Sequence, residues 1–337
     1  MKFNLAALAA LLCAVLLFPT CDNELDLTTP WEDIPVVYGL LSIEDTVHYV
    51  RVEKAFLDAE TSALELATIA DSIYYGPEVT VSLRRESTGQ TFEMDRIDGA
   101  TVGIPRAEGI FANTPNIIYA LDAEVIDLQA NEQVTLIIDR PGAGEATATT
   151  TMLGVVDKGA NGPPAVAGNA VTFTENGVQT FSLRTTEAAR VYETKMLIRV
   201  REFVNGISQG DKLIEWQLES QIRADDNDQS SIFYDVDNNG FFSALSSGLE
   251  VDSDIERDIV ELVYIIIGGS QELDDFLSIS SANTGITSAQ ERPTFSNLEG
   301  GEGIFGSIYR FELGNIGVSN NTLFELRDNP ITSGLNF

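Results

Sequence analysis

The chain has 337 residues, with 52 acidic and 20 basic side chains and a formal net charge of −32. That balance speaks against nucleic acid as a partner, since phosphate binding needs a basic footprint. A hydrophobic content of 44% spread along the chain speaks against disorder, and two cysteines with one histidine exclude a disulfide framework and leave little for zinc.

The first element is a leader, residues 1–20. Lys2 supplies a positive start, and residues 5–18 form an uncharged apolar run, LAALAALLCAVLLF. The run is shorter than the roughly 20 residues of a membrane-spanning helix, so it reads as the core of a signal peptide. Leu17-Phe18-Pro19-Thr20-Cys21 has the form of a lipobox, where a signal peptidase cuts ahead of a cysteine that is then acylated. Phe18 and Thr20 are bulkier than the small residues usual there, so an ordinary cut near Thr20, leaving a free thiol, stays open. Cys13 leaves with the leader, which makes Cys21 the first residue and the one cysteine of the mature chain. Acylation there, palmitate included, supplies the more than one chain that stable anchorage needs. The most apolar later stretch, residues 259–268, is short and carries Glu261. The expectation is a chain anchored to a membrane and not threaded through it.

Residues 21–35 read as an acidic, proline-punctuated tether. A β-rich domain is expected over residues 36–157. Residues 36–43 and 47–56 are strand-like, and residues 79–84 alternate Val79, Val81 and Leu83 against Thr80, Ser82 and Arg84, the period of a half-buried strand. Residues 90–94, 117–121, 134–138 and 146–153 continue the pattern, and residues 62–70 read as a short helix or inserted loop. Residues 158–168, rich in Gly and Pro, read as a linker. The second domain, residues 169–337, predicts strands over 171–174, 178–183, 191–204, 212–223, 259–267, 304–313 and 322–326. Short helices are expected at 241–249 and at 271–279, the latter with Ser270 as N-cap. The predicted fold class is mainly β, with two sandwich-like domains, the first immunoglobulin-like and the second decorated with short helices.

Catalytic chemistry is poorly served. His48 alternates with apolar neighbours in a strand-like run and reads as a solvent-facing residue, and no Gly-x-Ser-x-Gly elbow is present. The expectation is that the chain is not an enzyme. Asp235-x-Asp237-x-Asn239-Gly240 matches the opening of a calcium loop, but Ser246 stands where the closing bidentate Glu belongs. Two readings stay open: weak Ca2+ binding by Asp235, Asp237 and Asn239, or a polar turn. Trp31, Trp216, Phe233 and Tyr234 are candidate ligand-contacting aromatics.

The run Asn297-Leu298-Glu299-Gly300-Gly301-Glu302-Gly303-Ile304-Phe305-Gly306 is no phosphate loop, since it lacks Lys and carries two Glu. It resembles the C-terminal signature of a Bacteroidota lipoprotein family, domain of unknown function 4249, and follows a helical stretch and the turn Pro293-Thr294-Phe295 as that family would have it. The opening is similar too: lipobox, acidic tether, then Pro35-Val36-Val37-Tyr38-Gly39-Leu40-Leu41 as a first strand. The sequence departs at Glu302, where an apolar residue is common. The resemblance implies placement in the outer membrane, beside a TonB-dependent transporter in nutrient uptake. It also implies that Asp22, Glu24 and Asp26 form the export signal that sends such proteins to the cell surface. It implies no catalytic residues. A surface binding or accessory protein is the first expectation, and a structural or adhesive module of the envelope the alternative.

Overall fold

The computed structural model describes residues 33–55, 62–164, 170–224, 230–282 and 294–337. The leader, Cys21, the acids Asp22, Glu24 and Asp26, and Trp31 lie outside the described residues. So does the latter part of the 158–168 stretch.

Sixteen strands carry the described fold: β1 (Pro35–Leu41), β2 (Val47–Lys54), β3 (Thr80–Arg85), β4 (Gln90–Glu93), β5 (Asp95–Asp98), β6 (Ile117–Asp122), β7 (Gln133–Arg140), β8 (Gly144–Thr151), β9 (Asp157–Lys158), β10 (Ala170–Val171), β11 (Val178–Arg184), β12 (Val191–Val204), β13 (Ile207–Arg223), β14 (Ser231–Asp237), β15 (Ile255–Gly269) and β16 (Glu302–Val318). The protein is mainly β, built as two β-sandwiches with a few short helices. Each sandwich buries its own core. In the first, Val37, Val50, Val52, Val81, Leu83, Leu136 and Ile138 meet as the inward rows of two sheets. These are the apolar positions of period-2 strands, which send alternate side chains to one face. In the second, Phe173, Phe181, Tyr192, Met196, Trp216, Phe241 and Tyr264 close an aromatic core.

The two sandwiches are not separate beads. One nine-stranded sheet runs β13-β12-β15-β16-β1-β2-β6-β5, with β10 added on β16. The sheet β4-β3-β7-β8 completes the first sandwich, and β14-β11-β9 the second. β16 is the shared strand. Its first residues, Glu302 to Ser307, pair parallel with β1, and Ile308 onward pairs antiparallel with β15. Phe305 accordingly points into the first core, and Tyr309 and Ile316 into the second.

The stretch expected as a linker starts as an edge strand. Lys158 pairs with Leu183, Gly159 N donates to Ser182 O, and Ser182 N donates to Asn161 O. Residues 322–326, expected as a strand, are instead helical within Asn320–Asp328. Ser319 caps that helix by accepting from Thr322 N. β5 and β14 went unexpected, and β13 is longer than its sequence pattern because Asn205-Gly206 turns the hairpin within two residues.

Register gives the molecule two poles. Pro35 pairs with Lys54, Glu53 with Tyr74, and Asp98 with Ile117, so the chain entry, residues 62–79 and the loop 99–116 share one pole. β16 leads away from it, from Glu302 opposite Val36 to Ile316 opposite Leu262. β15 continues to Ile255, opposite Val204 beside the hairpin tip. About twenty residues of strand at ~3.3 Å each put that tip roughly 65 Å from the entry.

Candidate functional site

A cleft of about 360 Å³ lies at the seam of the two sandwiches; a larger but more open polar hollow, lined by Arg85, Glu86, Ser87 and Glu132, lies on the first sandwich alone. Asn131 and Thr151 line it from the first sandwich; Glu187, Ala188, Arg190, Ser270, Gln271 and Glu272 line it from the second. Seams between structural units are where small-molecule pockets form most readily.

Glu272 organises this cleft. It sits in the first turn of the helix Gln271–Ala282, where a carboxylate meets the positive helix end. Its Oε2 accepts from Thr150 Oγ1 at 3.0 Å and from Ser270 Oγ at 2.5 Å, so one carboxylate ties β8 to the helix start. Ser270 N donates to Ser307 O at 3.0 Å, and Ser270 Oγ accepts from Ser307 N at 3.2 Å. Ser307 Oγ donates to Thr151 O at 2.6 Å. Arg190 Nη1 donates to Glu187 O at 2.7 Å and to Ala189 O at 3.0 Å, holding a cationic fork at the rim. The cleft offers an arginine, carboxylates, an amide and hydroxyls. That set can orient a small polar ligand. The Ser270 hydroxyl is taken up by Glu272 and a backbone amide, and no imidazole adjoins it.

The glycine run that carries the family resemblance closes the first sandwich at the pole where the chain enters. Asn297 Nδ2 donates to Phe305 O at 2.7 Å, and Phe305 N donates to Asn297 Oδ1 at 3.0 Å. The amide thus supplies one rung of a ladder to β16. Glu299 exchanges both backbone bonds with Thr147 of β8. Arg140 Nη2 donates to Gly300 O at 3.3 Å, while its Nη1 bonds the Asp33 carbonyl. Tyr75 OH donates to Asp33 Oδ1, and burial, then Asp33, pushes that phenol well above its ordinary pKa.

The sequence-derived candidates are dispersed. His48 is 1% exposed, which corrects the solvent-facing expectation. Its Nδ1 lies 3.3 Å from Asp45 Oδ2, whose carboxylate also accepts from Ser42 N at 2.8 Å, so the histidine braces the turn between β1 and β2. Trp216 is 7% exposed, packed edge-on against Phe173. Tyr234 is buried with its hydroxyl 2.6 Å from that of Tyr264. Both aromatics are core and not ligand contacts; Phe233 alone of the described candidates is open, at 61%.

Asp235, Asp237 and Asn239 span the junction of a strand and a helix. The first two belong to β14, and Asn239 opens the helix Asn239–Gly248. Asp235 Oδ1 accepts from Thr180 Oγ1 at 2.8 Å. Asp237 Oδ1 accepts from Asn239 N at 2.9 Å, and Asn239 Oδ1 accepts from Asn176 N at 3.1 Å. Each side chain has a partner within the fold, as in a polar turn. Among the described residues, no group of three or more His, Cys, Asp or Glu is placed to hold a metal ion.

No family model matches the chain, and no curated protein does. Among solved structures, it is similar to the crystal structure of the chicken CNTN1 FN1-FN3 domains at 9% identity, over 72% of this chain, with a TM-score of 0.24. The chain spans 63% of that protein's length. The sandwich architecture rests on the sheets and cores described above.

Proposed function

We propose that this chain is an outer-membrane lipoprotein, acylated at Cys21 and displayed on the cell surface, where it binds or assists a partner and performs no catalysis. The observation that carries the reading is the leader ending in a lipobox, with Cys21 as the one cysteine left after cleavage. The acidic surface supports it, because a net charge of −32 keeps such a body soluble outside a cell. The seam cleft supplies a place for a small polar ligand. The partner that the family resemblance implies is a TonB-dependent transporter engaged in nutrient uptake.

Detergent-solubilised outer membranes, with the protein carrying a C-terminal affinity tag, test the partner directly. A β-barrel transporter should co-purify in stoichiometric amount. Recovery of the protein alone, in a detergent that preserves other envelope complexes, counts against the accessory role and leaves the adhesive or structural module standing.

A further inference from the structure

Six large apolar side chains, Leu64, Ile69, Val102, Ile104, Ile110 and Phe111, stand between 36% and 66% exposed on two neighbouring loops. The loops are fastened together: Ala112 N donates to Ala67 O at 2.8 Å. Beneath them Ile73, Tyr74 and Ile117 form a small buried cluster with Ala70 and Ala112 packed against it. The Arg106 guanidinium lies 4.7 Å from the Phe111 ring. Arg106 Nη1 also donates to Glu53 Oε1 at 2.6 Å and to Tyr74 OH at 2.8 Å. The apolar side chains are therefore presented on a braced scaffold. Exposed apolar side chains grouped on loops fastened to each other are the kind of surface that marks a protein or membrane contact.

Topology decides between the two. Both loops sit at the pole where the chain enters, and Tyr75, which follows the first loop's helices, hydrogen-bonds Asp33 itself. Eleven residues lie between Cys21 and Asp33, and a chain of that length reaches at most roughly 40 Å. An acyl anchor on Cys21 thus holds this pole nearest the bilayer, with the β12–β13 tip roughly 65 Å further out. The acidic body is repelled by an anionic lipid surface, so contact depends on apolar side chains; the far tip exposes some too, Ile207 among them, but it lies at the end away from the anchor.

We propose that this pole docks on the lipid bilayer itself, seating Leu64, Ile69, Ile110 and Phe111 at the headgroup–acyl boundary, so that the body stands upright with its hairpin tip outward. This rests on the Cys21 anchor of the proposed function. Side chains at that depth bind by apolar area removed from water, as interfacial helices do.

The test uses the acylated full chain bearing Ile110→Cys, or Leu213→Cys on β13 as reference, in phosphatidylethanolamine–phosphatidylglycerol vesicles. Acylation blocks the Cys21 sulfur, so an environment-sensitive thiol dye attaches only to the introduced cysteine. Lipids carrying a quencher near the headgroup should quench the Ile110 dye several-fold more than the Leu213 dye. Adding Leu64→Ser and Ile69→Ser should cut the Ile110 quenching sharply, to what nearness of the anchor alone sustains, with no change in melting temperature, since both side chains are exposed. Equal quenching at the two sites, in protein that still floats with vesicles, overturns the docking while the anchor stands. Protein that fails to float overturns the anchor and the docking with it. Shielding of the Ile110 dye in native outer-membrane fragments but not in protein-free vesicles overturns the bilayer in favour of a membrane-protein partner.

Discussion

Gly303 holds a φ of +109°, and a Cβ built there would lie 2.1 Å from Val37 O. The parallel register of β1 on β16 brings Val37 opposite Gly303, and the positive φ is a local departure from regular strand backbone at that pairing. No L side chain fits such a backbone so close to a carbonyl. Gly303→Ala should therefore cost more than ~3 kcal/mol in denaturant unfolding, beyond the usual effect of a point change. A loss below 1 kcal/mol would mean that the β1–β16 pairing is not as described. Glycine permits unusual backbone wherever it stands, but which carbonyl this run approaches is not written locally, because the partner strand lies more than 260 residues away. His48 shows the opposite failure. Its alternation with apolar neighbours was read correctly as a strand, but one-residue phase decides which face points inward, and the side chain bracing Asp45 faces the core. At the same scale, Asp22, Glu24 and Asp26 carry the proposed surface address. Neutral replacements at all three should leave the acyl group in place and protect the protein from protease added to intact cells. Undiminished digestion of the triple variant would remove these acids from the account.

At the scale of elements, the long strands β12, β13 and β15 are secured at their far end by a buried ion cluster. Arg257 Nε donates to Glu202 Oε1 at 2.9 Å, and its Nη1 and Nη2 reach the carbonyls of Leu335 and Glu250 at 2.6 and 2.9 Å. Lys212 Nζ lies 3.1 Å from Glu202 Oε2. Burial pushes the Glu202 carboxyl up, but the hydrogen bonds from Lys212 and Arg257 outweigh it and hold the group below the usual carboxylate range. A carboxylate held low in the folded state stabilises it fully above the ordinary carboxylate pKa, and that contribution fades as pH falls through the folded value. Glu202→Gln should therefore lower the melting temperature at pH 7, with the gap to the native protein closing on acidification. A gap that stays constant down to acid unfolding contradicts the ion cluster. Arg257→Ala removes the partner of a buried charge and should cost about 3–5 kcal/mol at neutral pH. Sequence periodicity located these strands well, since β12 runs over the expected residues, but it missed the helix Asn320–Asp328. There Thr322, Leu323 and Phe324 have strand-like composition, and the Ser319 cap with burial of Thr322 and Leu326 prevailed.

At the scale of the molecule, the chain builds two cores and then shares a strand between them. β16 belongs to the first sandwich over its opening residues and to the second thereafter, which fixes the seam cleft and sets the chain entry at one pole. Sequence alone located the two β-rich halves, because alternation and turn residues are local signals. The shared strand was beyond it, since pairing between the first and last strands leaves no local trace. The same holds for the cleft, whose polar residues come from four separate stretches of chain. The proposed surface display and the proposed membrane docking both depend on one covalent event, acylation at Cys21.

That event is measured most directly by growing cells on an alkyne-bearing fatty acid, tagging the incorporated label, and following native protein beside Cys21→Ala through membrane fractionation. The native protein should carry the label on its N-terminal peptide and sediment with the outer membrane through a high-salt wash. Cys21→Ala should carry none and appear in the soluble fraction. Label retained by Cys21→Ala, or native protein that is unlabelled and soluble, would contradict the lipid anchor at Cys21.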